Sequence, residues 1–528
     1  MHIMIGSSIL VSLLTFLSAL VSFFNQLVLA KLFGASMGMD AYLIAISIPL
    51  FVSGVLVAAT GYSLVPALIA HKSDYEIYKR FSGFLLISFI FFSVVIAFAG
   101  YAFAGKQISF LGESLSWAAR QDAILIARIS WVSAAFTIVV GLLNAMHNAD
   151  RSFLLPVVST IFPFIGMITG AVIFGSTHGP VVVAWGMLVG VLIAISILII
   201  RMLPALDLSA RCLMQWRDVM RYLFHTPLII VAMFCFTAYQ SVDAYWAPQI
   251  GTGNLAYLGY SHRIVIAIGS LVIAGPAAVL FPRLAEAYIG GRVPDLLHDA
   301  GRMVRAVIAF AMPVTIFVSI MATPLVGLVF ERGVFNYQDT QGVGAILPFM
   351  MVGMIAMVGV VIIFRALFSK HDITMASLLG VIATVLYFVL SGSLIERFGV
   401  KGIALAYAIS WWMLLLFSAL SLWRGYFGML LSKENSTFFV QLTVASAITS
   451  VVVTIGKFWI GETWVKGWLL LMQLSIVGIS AVLVYFTVAI RILRMESICS
   501  IYRFTYSKLA AFLISNKKYE HSKKQNTA

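Results

Sequence analysis

Charge is scarce in this chain. Aspartate, glutamate, lysine and arginine make up 10% of its 528 residues, against about 25% in soluble domains, which excludes a water-facing surface over most of the polypeptide. Cysteine is scarcer still. Cys212, Cys235 and Cys499 stand far apart and suggest neither a disulfide framework nor a metal cluster, so no metal site is expected. There is no phosphate-binding P-loop, no HExxH, no CxxC and no Gly-rich dinucleotide fingerprint. No extramembrane domain and no cluster of loop acids is visible of the kind that a membrane glycosyltransferase or polymerase needs. These absences argue against an enzyme, against ATP-driven transport by this chain alone and against any cofactor. Coupling to an ion or to the membrane potential stays open.

What is present is apolar: 62% of the residues. A spanning helix needs about 20 mostly apolar residues, because the hydrocarbon core is about 30 Å thick. Candidate spans lie near 6–30, 41–69, 82–105, 122–146, 152–175, 181–204, 222–248, 255–281, 304–330, 343–369, 373–395, 401–423, 437–460 and 466–490. Backbone polar groups in lipid must be paired within the segment, so these are helices. The expectation is an all-α polytopic membrane protein of about fourteen transmembrane helices. The first span has no Lys or Arg before it, and its apolar run is too long for a cleaved signal peptide.

The net charge of +14 raises the question of nucleic acid, and its distribution answers it. With the N-terminus inside, most of the 34 lysines and arginines fall on the cytoplasmic side, in 71–81, 201–221, 283–305 and the tail 491–528. Lys31, Lys106, Arg120, Arg332, Arg397, Lys401, Lys457 and Lys466 fall on the other. This is the positive-inside pattern, and an even number of spans then places both termini in the cytoplasm. In the tail, Ile498, Ile501, Tyr502, Leu509, Phe512 and Leu513 share a helical face with Arg491, Arg494, Arg503 and Lys508 among them. That segment reads either as an interfacial helix on anionic lipid headgroups or as a topology anchor with a disordered end.

An internal repeat runs through the chain. Ala41-Tyr42-Leu43 returns as Ala256-Tyr257-Leu258, and Val65-Pro66-Ala67-Leu68 returns as Phe281-Pro282-Arg283-Leu284. A shift spanning an even number of helices gives parallel repeats related by an axis along the membrane normal. The expected organisation is an N-terminal lobe of six helices (1–221), a C-terminal lobe of six (222–436), two additional helices (437–490) and a basic tail (491–528).

Polar residues inside the spans are the candidate site. Ser8, Ser12, Thr15, Ser18, Ser22 and Asn25 or Gln26 recur every three or four residues in the first span. They form one stripe, which is either a cavity wall or a helix–helix contact. Asp40 opens the second span, Asp243 lies within the seventh, and His262 with Arg263 within the eighth. Intramembrane charge is costly and defaults to function, the bland alternative being an Asp243–Arg263 ion pair. Arg128 and Arg365 lie nearer span ends and can snorkel. With no nucleotide motif, a secondary transporter or flippase remains.

Several segments resemble the MurJ/MviN family: Leu32-Phe33-Gly34-Ala35 with Met39-Asp40-Ala41-Tyr42, Pro49 and Gly61-Tyr62-Ser63-Leu64-Val65-Pro66; Tyr260-Ser261-His262-Arg263 with Val279-Leu280-Phe281-Pro282-Arg283-Leu284-Ala285; Phe330-Glu331-Arg332-Gly333-Val334-Phe335; and Phe398 to Ala406. The likeness runs in order from about residue 8 to 425. It implies the multidrug-exporter and polysaccharide-flippase superfamily, fourteen helices, two lobes and alternating access. It implies a polyprenyl-diphosphate-linked saccharide as cargo, lipid II of peptidoglycan being the family's best-known one. Of the family's cavity arginines, Arg263 matches, and Asp40 matches the acid opening the second span. The other arginine positions fall on Ala19, Asn25 and Ser53. The candidate substrate-binding set is therefore Arg263, Asp40, Ser18, Asn25 and Ser53. Asp243 matches an acid that binds a cation in some members and is the ion-coupling candidate, but the eleventh span, Gly380 to Gly392, lacks the Asn/Asp partners of a sodium site. The missing arginines leave open an exopolysaccharide or O-antigen repeat as cargo, and the two acids leave open a drug–cation antiporter.

Overall fold

A computed structural model describes residues 2–207, 230–289, 293–370, 372–430, 432–461 and 467–495. Among these, every regular element is a helix. The basic tail lies outside the described residues beyond Met495. In order, the main helices are α1 (His2–Phe33), α2 (Met37–His71), α3 (Tyr75–Leu111), α4 (Trp117–Ala149), α5 (Leu154–Ser159), α6 (Ile161–His178), α7 (Val181–Met202), α8 (Tyr239–Trp246), α9 (Asn254–Ile289), α10 (Val293–Ile320), α11 (Ala322–Phe330), α12 (Tyr337–Ser369), α13 (Ile373–Phe398), α14 (Val400–Leu422), α15 (Lys433–Ile460) and α16 (Trp468–Thr487).

Thirteen of the described segments are long and apolar enough to cross a membrane. The remaining expected span, 222–248, lies partly outside the described residues. Its described part is broken: a turn at Ala238 separates Phe234–Thr237 from α8. Two other expected spans are also interrupted. The fifth is broken at Thr160 between α5 and α6, just before Pro163, and the ninth at Met321 between α10 and α11, just before Pro324. A proline near a helix start removes no bond that the first turn would have made, so these sites tolerate a new helix better than a continued one.

Side chains stop and start the helices where the sequence supplies caps. Ser36 accepts from the Met39 N–H at the head of α2, Asp74 from Glu76 and Ile77 at the head of α3, and Asp372 from Met375 at the head of α13. Each satisfies amides that the first helical turn leaves unpaired.

The described residues form two compact units. One comprises those within Met1–Ile268, Ala322–Met354 and His371–Phe417. In it α4 packs on α2, α3 and α7, and α6 packs on α1 and α7. The α6–α7 crossing is made through glycine: a Cβ built on Gly166 would sit 2.1 Å from the Gly186 carbonyl oxygen, and one on Gly190 would sit 2.3 Å from that of Phe162. Small residues permit this approach, which side chains between the helices would forbid. The other unit comprises Gly269–Met321, Ile355–Lys370 and the described part of Ser418–Ala528. There α10, α15 and α16 pack on one another, and Arg305 of α10 is bound to Glu434 and Asn435 at the head of α15.

Candidate functional site: a polar cavity

Within the first unit, α1, α2, α4, α6, α7, α8 and α9 surround a cavity of about 350 Å³. Most of its lining is apolar: Leu29, Ile46, Leu50, Val57, Phe164, Met167 and Val191 among others. Polar groups enter this lining from two directions.

From α1, α2 and α4 come neutral side chains. Asn25 and Gln26 end the polar stripe of α1 at the cavity, both buried. The Asn25 amide nitrogen reaches only the Met167 sulfur, at 4.0 Å, and its Oδ1 has no partner. Ser53 lines the cavity and donates to the Leu50 carbonyl at 3.2 Å. Asn144 accepts from Ser159 at 3.3 Å, while the buried Ser130 hydroxyl is without a partner. The remainder of the stripe behaves differently. Ser18 does not line the cavity. It hydrogen-bonds Thr160 at 2.7 Å, which ties α1 to the α5–α6 break, and Thr15 is exposed. The side chains of Ser8 and Ser12 lie outside the described set.

From α8 and α9 come Gln240, Asp243, His262 and Arg263. The alternative reading, an Asp243–Arg263 ion pair, is not formed. The Asp243 carboxylate is taken on one oxygen by His262 Nε2 at 2.8 Å and on the other by the Tyr387 hydroxyl, which donates to it from α13. His262 is packed against Tyr239, with ring centroids 4.2 Å apart, and edge-on to Tyr407 at 5.0 Å. Arg263 is half-buried and has no hydrogen bond or ion pair among the described residues. An unpaired guanidinium on a membrane-embedded wall is poised for an anion, since its planar fork matches phosphate oxygens two at a time.

Asp40 stands beside the cavity, not in its lining. Its carboxylate accepts the N–H groups of Gly253 and, at 2.9 Å, Ala256, so it caps α9 from a distance. A carboxylate at a helix N-terminus satisfies orphan amides and favours the helix dipole. That role accounts for both oxygens. Arg128 lies over the Tyr101 ring at 4.9 Å, and Arg365 is exposed; neither lines the cavity. Among the described residues, no group of three or more His, Cys, Asp and Glu could hold a metal ion.

Tyr387 and the pairing of His262 were not found from sequence. The signal available was Tyr387 itself, a phenol in the apolar run of the eleventh span where only Asn and Asp were sought.

Residues 29–475 match the family profile described as lipid II flippase MurJ. The chain is 23% identical over 458 residues to a probable lipid II flippase MurJ of Buchnera aphidicola, covering 84% of this chain and 88% of that one. It is 25% identical over 471 residues to the Vibrio cholerae protein of the same description, covering 84% and 87%. Among solved structures, a lipid II flippase MurJ in an inward closed conformation superposes with a TM-score of 0.75 at 19% identity, covering 92% of this chain and 99% of that one. An inward-facing multidrug transporter of the MATE family superposes with a TM-score of 0.64 at 14% identity, covering 77% and 93%. With its apolar helices, its cavity and a family match over most of its length, this chain belongs to the lipid II flippase MurJ family.

Proposed function

We propose that the chain is a flippase that carries a polyprenyl-diphosphate-linked saccharide of the lipid II type across the bacterial inner membrane, by alternating access of the cavity to the two sides. Arg263 carries this reading. It is a cation in the cavity wall with no acid partner among the described residues, and an anionic diphosphate supplies the charge that it lacks. Holding an unpaired Arg within a span costs about 2.5–3.5 kcal/mol on the insertion scale, a cost that makes sense if a substrate offsets it. The names of the relatives support the same cargo. The parallel repeat supports two lobes that rock about the cavity, and the excess of Lys and Arg in alternate loops supports cytoplasmic termini. The tail, with its lysines and arginines, is suited to anionic lipid headgroups.

A second reading has an observation of its own. Where the family resemblance implies arginines, the cavity presents Asn25 and Ser53, which bond hydroxyls and cannot match phosphate charge. An exopolysaccharide or O-antigen repeat unit, with more sugar and the same diphosphate, would suit that wall. The antiporter reading is weaker, because Asp40 and Asp243 are both engaged by protein donors. Complementation decides the matter. In a strain depleted of its own lipid II flippase, this chain is expected to restore growth and the Arg263→Ala variant is not. Failure of the wild-type chain at normal membrane abundance would move the assignment to another lipid-linked saccharide.

A further inference from the structure

The side of α4 turned away from the cavity carries two further cations without acids. On α3, Tyr101, Gly105 and Ser109 recur every fourth residue, and on α4 so do Arg120, Ile124 and Arg128. Residues four apart share a face, so each set is one row along its helix. Two contacts set the rows side by side in antiparallel register. Arg120 Nη2 donates to the Ser109 carbonyl at 3.4 Å, and the Arg128 guanidinium lies over the Tyr101 ring at 4.9 Å. Gly105 and Ile124 therefore stand level with one another, between the two arginines. A Cβ built on Gly105 meets nothing within 4 Å, so the seam is open at that point. The Nε atoms of both arginines are buried and without a partner, and neither side chain has an ion pair among the described residues.

We propose that this α3–α4 seam binds the phosphate of an anionic membrane lipid, drawn from the leaflet that the α3–α4 turn meets. Eight residues separate the two arginines, about 12 Å at about 1.5 Å per residue. A phosphate level with Gly105 is then about 6 Å along the axis from each, within the reach of an arginine side chain. There it takes N–H groups from both forks, the Nε donors that the protein leaves unused among them, and a guanidinium edge matches phosphate oxygens two at a time. Tyr101 holds the Arg128 guanidinium on the seam by its ring face, without using any of its N–H groups. Gly105 supplies the room, since a larger side chain would stand where the phosphate does. The surroundings select a lipid over a dissolved ion. From Tyr101 deeper into the span, α3 presents Phe98, Val94 and Phe91 as an exposed apolar stripe on which acyl chains can lie. The same geometry separates this lipid from any cargo. Ser130, which lines the cavity, is two residues beyond Arg128 and so about 200° round the helix. Seam and cavity are opposite faces of α4. The occupant is a resident lipid that clamps α3 to α4, and the site stands or falls independently of the flippase reading.

The test is a lipid titration of the full chain in detergent micelles, read by native mass spectrometry. Phosphatidylglycerol is the anionic probe. Phosphatidylcholine, whose phosphate is neutralised by its own ammonium, is the control, and inorganic phosphate stands for a dissolved ion. For the first lipid bound, the wild type is expected to prefer phosphatidylglycerol by about 10- to 150-fold, the range of charge-assisted hydrogen bonds, and inorganic phosphate should not displace it. The double variant Arg120→Gln, Arg128→Gln should lose that preference. Gly105→Leu, which keeps both cations and fills the open point of the seam, should lose it too. Arg397→Gln removes an exposed cation of α13 and should leave it intact. A preference that survives in the double variant or in Gly105→Leu would overturn the inference. So would an equal loss in Arg397→Gln, which would mark attraction to the net positive charge of the chain. Displacement by inorganic phosphate would overturn the lipid assignment. Should the double variant fail to fold, Gly105→Leu decides alone, because the added side chain starts in open space.

Discussion

The cavity has two walls built on opposite plans. The wall from α1, α2 and α4 offers Asn25, Gln26, Ser53, Ser130 and Asn144, all neutral, and two of them with an atom left unpartnered. The wall from α8 and α9 offers Asp243, His262 and Arg263, of which only Arg263 is free of bonds to other side chains. The first wall can bond hydroxyls and amides but cannot attract an ion. The second attracts an anion by one group and holds Asp243 and His262 against each other by a hydrogen bond. A substrate with an anionic end and a neutral polar end would therefore lie across the cavity in one orientation.

Removing the one free charge tests this contrast most severely. Arg263→Ala is expected to lower transport by about 10- to 150-fold, the equivalent of about 1.5–3 kcal/mol of charge-assisted hydrogen bonding, with membrane abundance unchanged. Arg263→Lys should retain part of the activity, because the ammonium keeps the charge and loses the fork. Normal transport in Arg263→Ala would erase the distinction between the walls. A reduced abundance that recovers on also replacing Asp243 would instead mark a buried pair formed in another conformation.

Asp40 comes next, since it marks the boundary of the site. Asp40→Ala should lower thermal stability in detergent by about 0.5–2 kcal/mol, as loss of a helix cap does. Unchanged melting with lost transport would return Asp40 to the cavity wall. Tyr387→Phe removes one of the two donors to Asp243 and should cost about 1 kcal/mol of stability, again read by melting. The smallest effect belongs to the neutral wall. Asn25→Ala should change stability by less than about 0.5 kcal/mol, because its buried Oδ1 has no bond to lose, and should reduce transport only a few-fold. In a cysteine scan, Asn25→Cys and Ser53→Cys should react with a membrane-impermeant thiol reagent. Leu13→Cys, Leu17→Cys and Leu20→Cys should not, as those positions face outward from the bundle. Equal labelling of both sets would mean that the stripe and the cavity are not continuous with water.

Much of this was legible in the sequence because bilayer thickness dictates the length of an apolar run, and thirteen of the expected spans survive as such among the described residues. Arg263 and Asn25 stood out as polar residues in apolar runs, whereas Ser53 came in only through the family resemblance. The breaks at Thr160 and Met321 were not legible, because a proline three residues beyond is equally compatible with a continuous helix that starts late. The partners of Asp243 were not legible either. Tyr387 lies 144 residues away on another helix, and adjacency in the fold leaves no trace in a single sequence. His262 was visible but was read as a neighbour of Arg263, whereas consecutive residues on a helix point in different directions. That is why one meets the carboxylate and the other does not.

The glycine crossing of α6 and α7 limits how this part of the molecule can evolve and move. Where carbonyl oxygens of one helix meet the backbone of the next with no Cβ between them, there are no interlocking side chains to step past one another, so sliding by a residue has no second resting place. The pair keeps one easy freedom, a scissoring about the point of contact, and transmits every other displacement as a single strut. Any mutation that adds even a methyl group at Gly166, Gly186 or Gly190 would wedge the blades apart. Variation in this protein should accumulate on the handles and spare the pin.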